Sequence, residues 1–189
     1  VGNNQYTVQC GESTERVVIN QKTNTITVTD GTITNTLWRD AEGSLFVDGK
    51  KIVVHETAGE ELRGTIYKGT KSLKPYGTLK SSDYKKFAGT RTANLELGKA
   101  IDQLTATALA NIIAYCHGYL GIAVTLGTIA KQILDVVVAK KPKTKYLGYK
   151  CQTYIHSYTD YKYKNLFYAE ASCQTLCKTT YSYEHFVVY

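Results

Sequence analysis

At 189 residues, 43% of them hydrophobic, the chain is long enough to bury a core and too short for more than one domain or two small ones. Its formal net charge of +7 and pI of about 9.0 suit an anionic partner, such as lipid headgroups or a wall polymer. No GxSxG, HExxH or P-loop occurs, nor any Gly-rich phosphate cradle, so the enzyme classes those motifs define are excluded.

Residues 6–57 read as short strands. The runs YTVQC, RVVINQ and TITVTD are β-branched and roughly alternating, and Asn24 and Asp30-Gly31 punctuate them. Asp48-Gly49, set between SLFV and KIVVHE, is the strongest hairpin signal in the chain. Residues 58–92 show no stable period and read as a surface connection, with ELRGTIYKG as a further strand within it.

Between Asp102 and Lys131 the chain runs for 28 residues without a formal charge. Ile101, Leu104, Ala108, Ile112 and Tyr115 recur at helical spacing. Gly118 and Gly121 interrupt, and Ile122, Leu126, Ile129, Ile133 and Val137 start a second stripe. Lys140, Lys141 and Lys143 close it with cations where a helix C-terminus favours them, and Pro142 prevents continuation. The spacing predicts an apolar helical hairpin bent near Gly118–Gly121.

After Pro142 the period returns to two in a Tyr-dense meander. Lys140 to Tyr189 holds eight Lys against three acids, Asp160, Glu170 and Glu184, a local net charge of +5. The expected class is α+β: antiparallel β units flanking a central apolar helical hairpin, with a disulfide-stapled C-terminal β region. The expected organisation is a β-rich region over 1–92, the hairpin over 93–142 and the Tyr/Lys-rich β region over 143–189, together one compact domain.

Cys10, Cys151, Cys173 and Cys177 lie in polar, strand-like or turn-like surroundings and read as disulfide partners, whereas Cys116 reads as a small buried hydrophobe. With no Met in the chain, a start at Val1 and no Asn-x-Ser/Thr sequon, they support a secreted, extracellular bacterial protein whose leader has been cleaved. Cys151, His156, Cys173, Cys177 and His185 offer ligand types for zinc, but no paired Cys-x2-Cys second half; the disulfide reading is preferred, and no metal or cofactor is expected. Cys116 and His117 point about 100° apart on a helix and cannot form a nucleophile-base pair. His55 with Glu56, Glu60 and Glu61 is the carboxylate cluster a secreted hydrolase would use, yet acids in a turn are usually only solvated, and no catalytic residue is assigned.

Three functions fit these signs. The first is a membrane-active, antimicrobial or pore-forming toxin-like protein. It would dock through Lys140, Lys141, Lys143, Lys145, Tyr146 and Tyr149 on an anionic membrane or cell-wall polymer, then insert Leu104, Ala108, Ile112, Tyr115, Gly118, Gly121, Ile122, Leu126 and Ile129. The second is an extracellular structural or adhesive subunit that self-associates or binds wall polymers, with the hairpin as core. The third is the hydrolase. A toxin would imply a cognate immunity protein, and the export signs argue against nucleic acid as partner. The hairpin is similar in outline to those of pore-forming bacteriocins, an analogy of shape without a shared motif.

Overall fold

A computed structural model describes residues 4–58, 69–117 and 127–187. Among them the chain is mostly β, with twelve strands in two antiparallel six-stranded sheets and two α-helices. It divides into two compact units, Val1–Val54 with Leu95–Leu147, and His55–Asn94 with Gly148–Tyr189.

The first unit holds a meander of β1 (Asn4–Cys10), β2 (Ser13–Asn20), β3 (Thr25–Thr29), β4 (Thr34–Arg39), β5 (Leu45–Val47) and β6 (Lys50–Lys51), paired in chain order. The Asp48-Gly49 turn forms as its sequence predicts: Asp48 and Gly49 take φ values of 49° and 75°, and Val47 pairs with Lys50. Alternation sorts the strands into two faces. Val8, Cys10, Val17, Val28, Leu37, Leu45 and Val47 are buried on the inner face. On the outer face, register aligns Thr7, Arg16, Thr29 and Thr34 in one row, and Gln5, Val18, Thr27 and Thr36 in the next. A third row carries Asn20, Thr25, Trp38, Phe46 and Lys51.

Helices α1 (Ala106–His117) and α2 (Gly127–Lys140) belong to the same unit, and both pack on β1. Ala106, Ala108, Leu109, Ala110, Ile112, Ile113, Ala114 and Cys116 are all buried, so α1 is covered on nearly every side; Asn111 and Tyr115 are half-buried. Helix α2 buries one stripe, Gly127, Ala130, Ile133 and Val137. The segment's two ends run side by side, with the Leu97 and Ile101 amides donating to the carbonyls of Lys145 and Thr144 at 2.8 and 2.9 Å.

What fixes α1 is its N-terminus, where the first amides lack intrahelical partners. Glu15, buried on β2, accepts from the Ala106 and Thr107 amides at 2.7 and 2.8 Å. Asn35 Oδ1 accepts from the Thr105 amide at 2.7 Å, and the Thr105 hydroxyl accepts from the Ala108 amide at 3.2 Å. Asn35 Nδ2 donates to the Gln103 carbonyl and to Asp48, which also accepts from the Thr36 amide and pairs with Lys99. Burial would raise the Asp48 pKa, but the Lys99, Thr36 and Asn35 hydrogen bonds outweigh it and hold the carboxyl below its usual range.

Three expectations are corrected here. The helices are not a central hairpin flanked by separate β units, since they cover one face of the first sheet. Gly118, Gly121, Ile122 and Leu126 lie outside the described residues. The C-terminal residues do form an antiparallel meander, but the second sheet extends beyond it on both sides, in the order β7 (Val53–Ala58), β9 (Lys86–Glu96), β10 (Tyr146–Ser157), β11 (Asp160–Tyr168), β12 (Leu176–Phe186), β8 (Gly69–Ser72). The stretch read as a surface connection thus supplies β8 and β9, while most of ELRGTIYKG falls outside the described residues.

Disulfide stapling is the third correction, because none of the five cysteines is bridged. Cys10 lies buried at 3.7 Å from the Thr107 hydroxyl, and burial pushes its thiol pKa up. Strand β11 separates β10 from β12, so Cys151 and Cys177 sit about 9–10 Å apart at least, beyond the Cα reach of a disulfide. Cys173 and Cys177 direct their thiols to the nearby Ala171 and Thr175 carbonyls.

Replacing Glu15 with Ala leaves two buried amides without an acceptor, an expected loss of roughly 2–3 kcal/mol. Urea denaturation of E15A against a control such as T14A measures it, and an unchanged midpoint would show that the carboxylate does not hold the helix.

Candidate anionic-polymer interface

The two faces of the second sheet differ in kind. One is buried and internally satisfied: Tyr149 donates to Asn165 Oδ1 at 2.8 Å, Asn165 Nδ2 to Ser182 at 3.0 Å, and Tyr163 to Glu184 at 2.7 Å, with Lys71 3.8 Å from Glu184. Phe167 packs on Tyr149 with ring centroids 5.4 Å apart. The alternation YKYK at 161–164 therefore separates by face, with Tyr161 and Tyr163 on this side and Lys162 and Lys164 on the other.

The opposite face is basic and aromatic. Register places Tyr154, Lys162 and Tyr183 in one row, Gln152, Lys164 and Tyr181 in the next, and Lys150, Leu166 and Thr179 in a third. Lys162 stands 5.0 Å from the Tyr154 ring centroid and 5.9 Å from that of Tyr84, and its ammonium donates to the Ser81 carbonyl at 2.7 Å. Burial first, and Lys164 second, lower the Lys162 pKa. Lys150 lies 5.5 Å from the Tyr168 ring, Tyr181 is 44% exposed, and Phe87 packs edge-on against Tyr154.

Residues 73–85 strap one end of this face. Tyr84 is buried against Tyr183 and His156, and burial raises its hydroxyl pKa. His156 Nδ1 lies 3.1 Å from the Asp83 carbonyl oxygen. At the corner, Asp160 accepts from Ser157 at 2.8 Å and Thr159 at 2.7 Å, and meets His185 Nδ1 at 2.7 Å, while Tyr76 stacks on the imidazole at 3.8 Å. A carboxylate-oriented histidine is half of a nucleophilic site. Among the described residues, however, no hydroxyl or thiol hydrogen-bonds the imidazole, so the pair works as a latch between the β10–β11 turn and β12.

The residues singled out in the sequence scatter. Lys140, Lys141, Lys143, Lys145 and Tyr146 are exposed where α2 ends and β10 begins, Lys143 being paired with Asp102 at 2.6 Å, but Tyr149 is fully buried. Leu104, Ala108 and Ile112 are core residues, and Tyr115 and Ile129 are half-buried; the Tyr115 ring has the Arg39 guanidinium 5.1 Å from its centroid. Among the described residues no helix is long and apolar enough to cross a membrane, which corrects the expectation of a membrane-spanning helix there. Glu15 and Asn35, which hold the N-terminus of α1, and Asp48, which holds Asn35, are what the 28-residue apolar run could not reveal. Glu56 pairs with Arg91 and His55 is exposed; Glu60 and Glu61 lie outside the described residues. No three His, Cys, Asp or Glu side chains converge as metal ligands among the described residues.

Lys150, Lys162 and Lys164 lie in the Tyr/Lys-rich C-terminal region that the sequence marks as basic, but they are not among the docking residues it singles out, Lys140 to Tyr149; the period of two in their run was the available signal. Comparison with known proteins adds no guide: no family model matches the chain, and neither a curated protein nor a solved structure does.

Burial would raise the Asp160 pKa, but the Thr159, His185 and Ser157 hydrogen bonds outweigh it and hold the carboxyl below its ordinary value. A depressed folded pKa gives stability that is complete above the unfolded value of about 3.9 and is lost as pH falls through the folded one. D160N should therefore cost roughly 2 kcal/mol at pH 7, with the gap to wild type closing toward pH 3. Urea midpoints across that range check it; a constant gap would mean that the charge is not what stabilises.

Proposed function

We propose that this chain is a binding protein, not a membrane-inserting one, and that it docks on an anionic polymer of the kind carried by a bacterial cell wall. The observation that carries this reading is the placement of Lys150, Lys162 and Lys164 on one strand face, interleaved with Tyr154, Gln152 and Tyr181. Cations on a pleated surface two residues apart lie about 7 Å from one another, so a chain of phosphates can engage several together. Exposed Tyr rings add contact area for the polymer's non-ionic parts.

Lys162 supports the reading further. An ammonium partly withdrawn from water, with Lys164 beside it, gains more from a phosphate than a fully solvated lysine does. Exposed Lys140, Lys141 and Lys145 add positive charge to the same protein, on the order of 1 kcal/mol each near an anionic surface. The burial of α1 and its capture by Glu15 favour docking over insertion, because leaving the fold would strip the cap from its helix.

Affinity electrophoresis through a gel containing poly(glycerol phosphate) tests the proposal. Wild-type protein should be retarded at low salt and released as salt rises; K162E/K164E should bind at least tenfold more weakly, with a salt slope smaller by about 2. Salt-independent retention, or equal retention of the double variant, would overturn it.

A further inference from the structure

The outer face of the first sheet has a different chemistry, and we infer that it is a second binding surface, for an uncharged glycan chain. It carries no carboxylate in its three rows; of its two cations, Lys51 stands on the edge strand β6, and Arg16 on β2 is hydrogen-bonded to Gln5 at 2.8 Å. Its other eleven positions are hydroxyl, amide, aliphatic or aromatic, a composition that suits a partner recognised through hydroxyls and C–H faces.

The aromatic pair gives the face its apolar element. Trp38 and Phe46 stack at 4.2 Å between ring centroids, 9° from parallel, and the indole remains 36% exposed. Phe46 covers one side of the indole, so the other looks along the row toward Thr25 and Asn20, two small polar residues. The negative face of an indole favours the C–H face of a sugar ring, which is apolar and slightly positive. Beside it, Thr27 and Thr36 are direct cross-strand partners with Cβ atoms roughly 5 Å apart, about the width of one sugar ring. Among the described residues neither hydroxyl makes a hydrogen bond within the protein, so both are open to a ligand that can donate and accept. An aromatic surface with a few fixed hydroxyl and amide groups around it is the composition of a small-molecule or sugar site. A second copy of the chain would be the other occupant of such a face, but no acid on it could meet Arg16 or Lys51 of a partner.

Trp38 is the only tryptophan in the chain, so fluorescence excited at the red edge, where the tyrosines do not absorb, reports this face alone. Titration with soluble hydroxyethyl cellulose and glycol chitin should shift the emission saturably with at least one of them. In affinity electrophoresis with that polymer, W38A should lose at least tenfold in affinity and T27V/T36V, which keeps the reporter, at least threefold, while K162E/K164E should bind as wild type does. No shift with either polymer, undiminished binding by W38A, or a shift that follows protein concentration without polymer and so reports self-association, would each overturn the inference. Loss of glycan binding in K162E/K164E would do so too, by assigning the contact to the lysine face.

Discussion

The fold of the first unit depends on how a sheet holds the positive end of a buried helix. Helix α1 begins with Ala106 and Thr107, whose amides face protein, and an unpaired buried amide costs about 1–3 kcal/mol. Glu15 supplies a full negative charge there, which satisfies two donors and complements the helix dipole at once. The same contact explains why a carboxylate can be buried on β2. Glu15, Asn35 and Asp48 come from three different strands or turns, so α1 can form in place only once the sheet has its register. Helix and sheet are therefore mutually dependent, although some ninety residues separate Glu15 from its amides in the chain.

That dependence bears on the apolar run between Asp102 and Lys131. Read as a sequence, the run is equally a core element and a lipid-seeking one, because periodicity measures which side is apolar and not what covers it. The deciding residues are polar and distant: a glutamate in the second strand and an asparagine in the fourth. Their signal in the sequence is weak, since Glu15 follows the same alternation that places Val17 inward and looks like one more exposed acid. The strands with strong local chemistry were legible, as with β1 to β3 and the Asp48-Gly49 turn, where the left-handed backbone demands such residues. Strands β8 and β9 were not. Their strand formers, such as Thr70 and Thr90, are broken up by Gly69, Lys71 and Gly89, which disfavour strands, so they take strand form from pairing partners far along the chain.

The cysteines illustrate a related limit. Spacing alone cannot show that β11 lies between the strands bearing Cys151 and Cys177, and one intervening strand exceeds what a disulfide can span. Cys10 shows a thiol with a local role: it fills the space against Gly127, where a Cβ would come within 2.9 Å of its sulfur. Gly127 is thus required at the first turn of α2 by the side chain opposite it, not by backbone conformation.

The two surfaces follow from the same alternation rule acting on different sequences. In the first sheet, threonines at every second position of TITVT and TITNT leave a hydroxyl-rich face, while intervening residues such as Val28 and Asn35 turn inward. In the second, tyrosines and lysines alternate, so the aromatic rings split between a buried network and a basic outer face. Net charge alone merges these into a single basic protein. Sorted by face, most of the structural acids are engaged with cations, amides or hydroxyls: Asp48 with Lys99, Asp102 with Lys143, Asp160 with His185, Glu15 with α1. Those engagements leave Lys150, Lys162 and Lys164 less neutralised than the composition implies. One face of the second sheet and the end of α2 are thus two of the places where positive charge gathers.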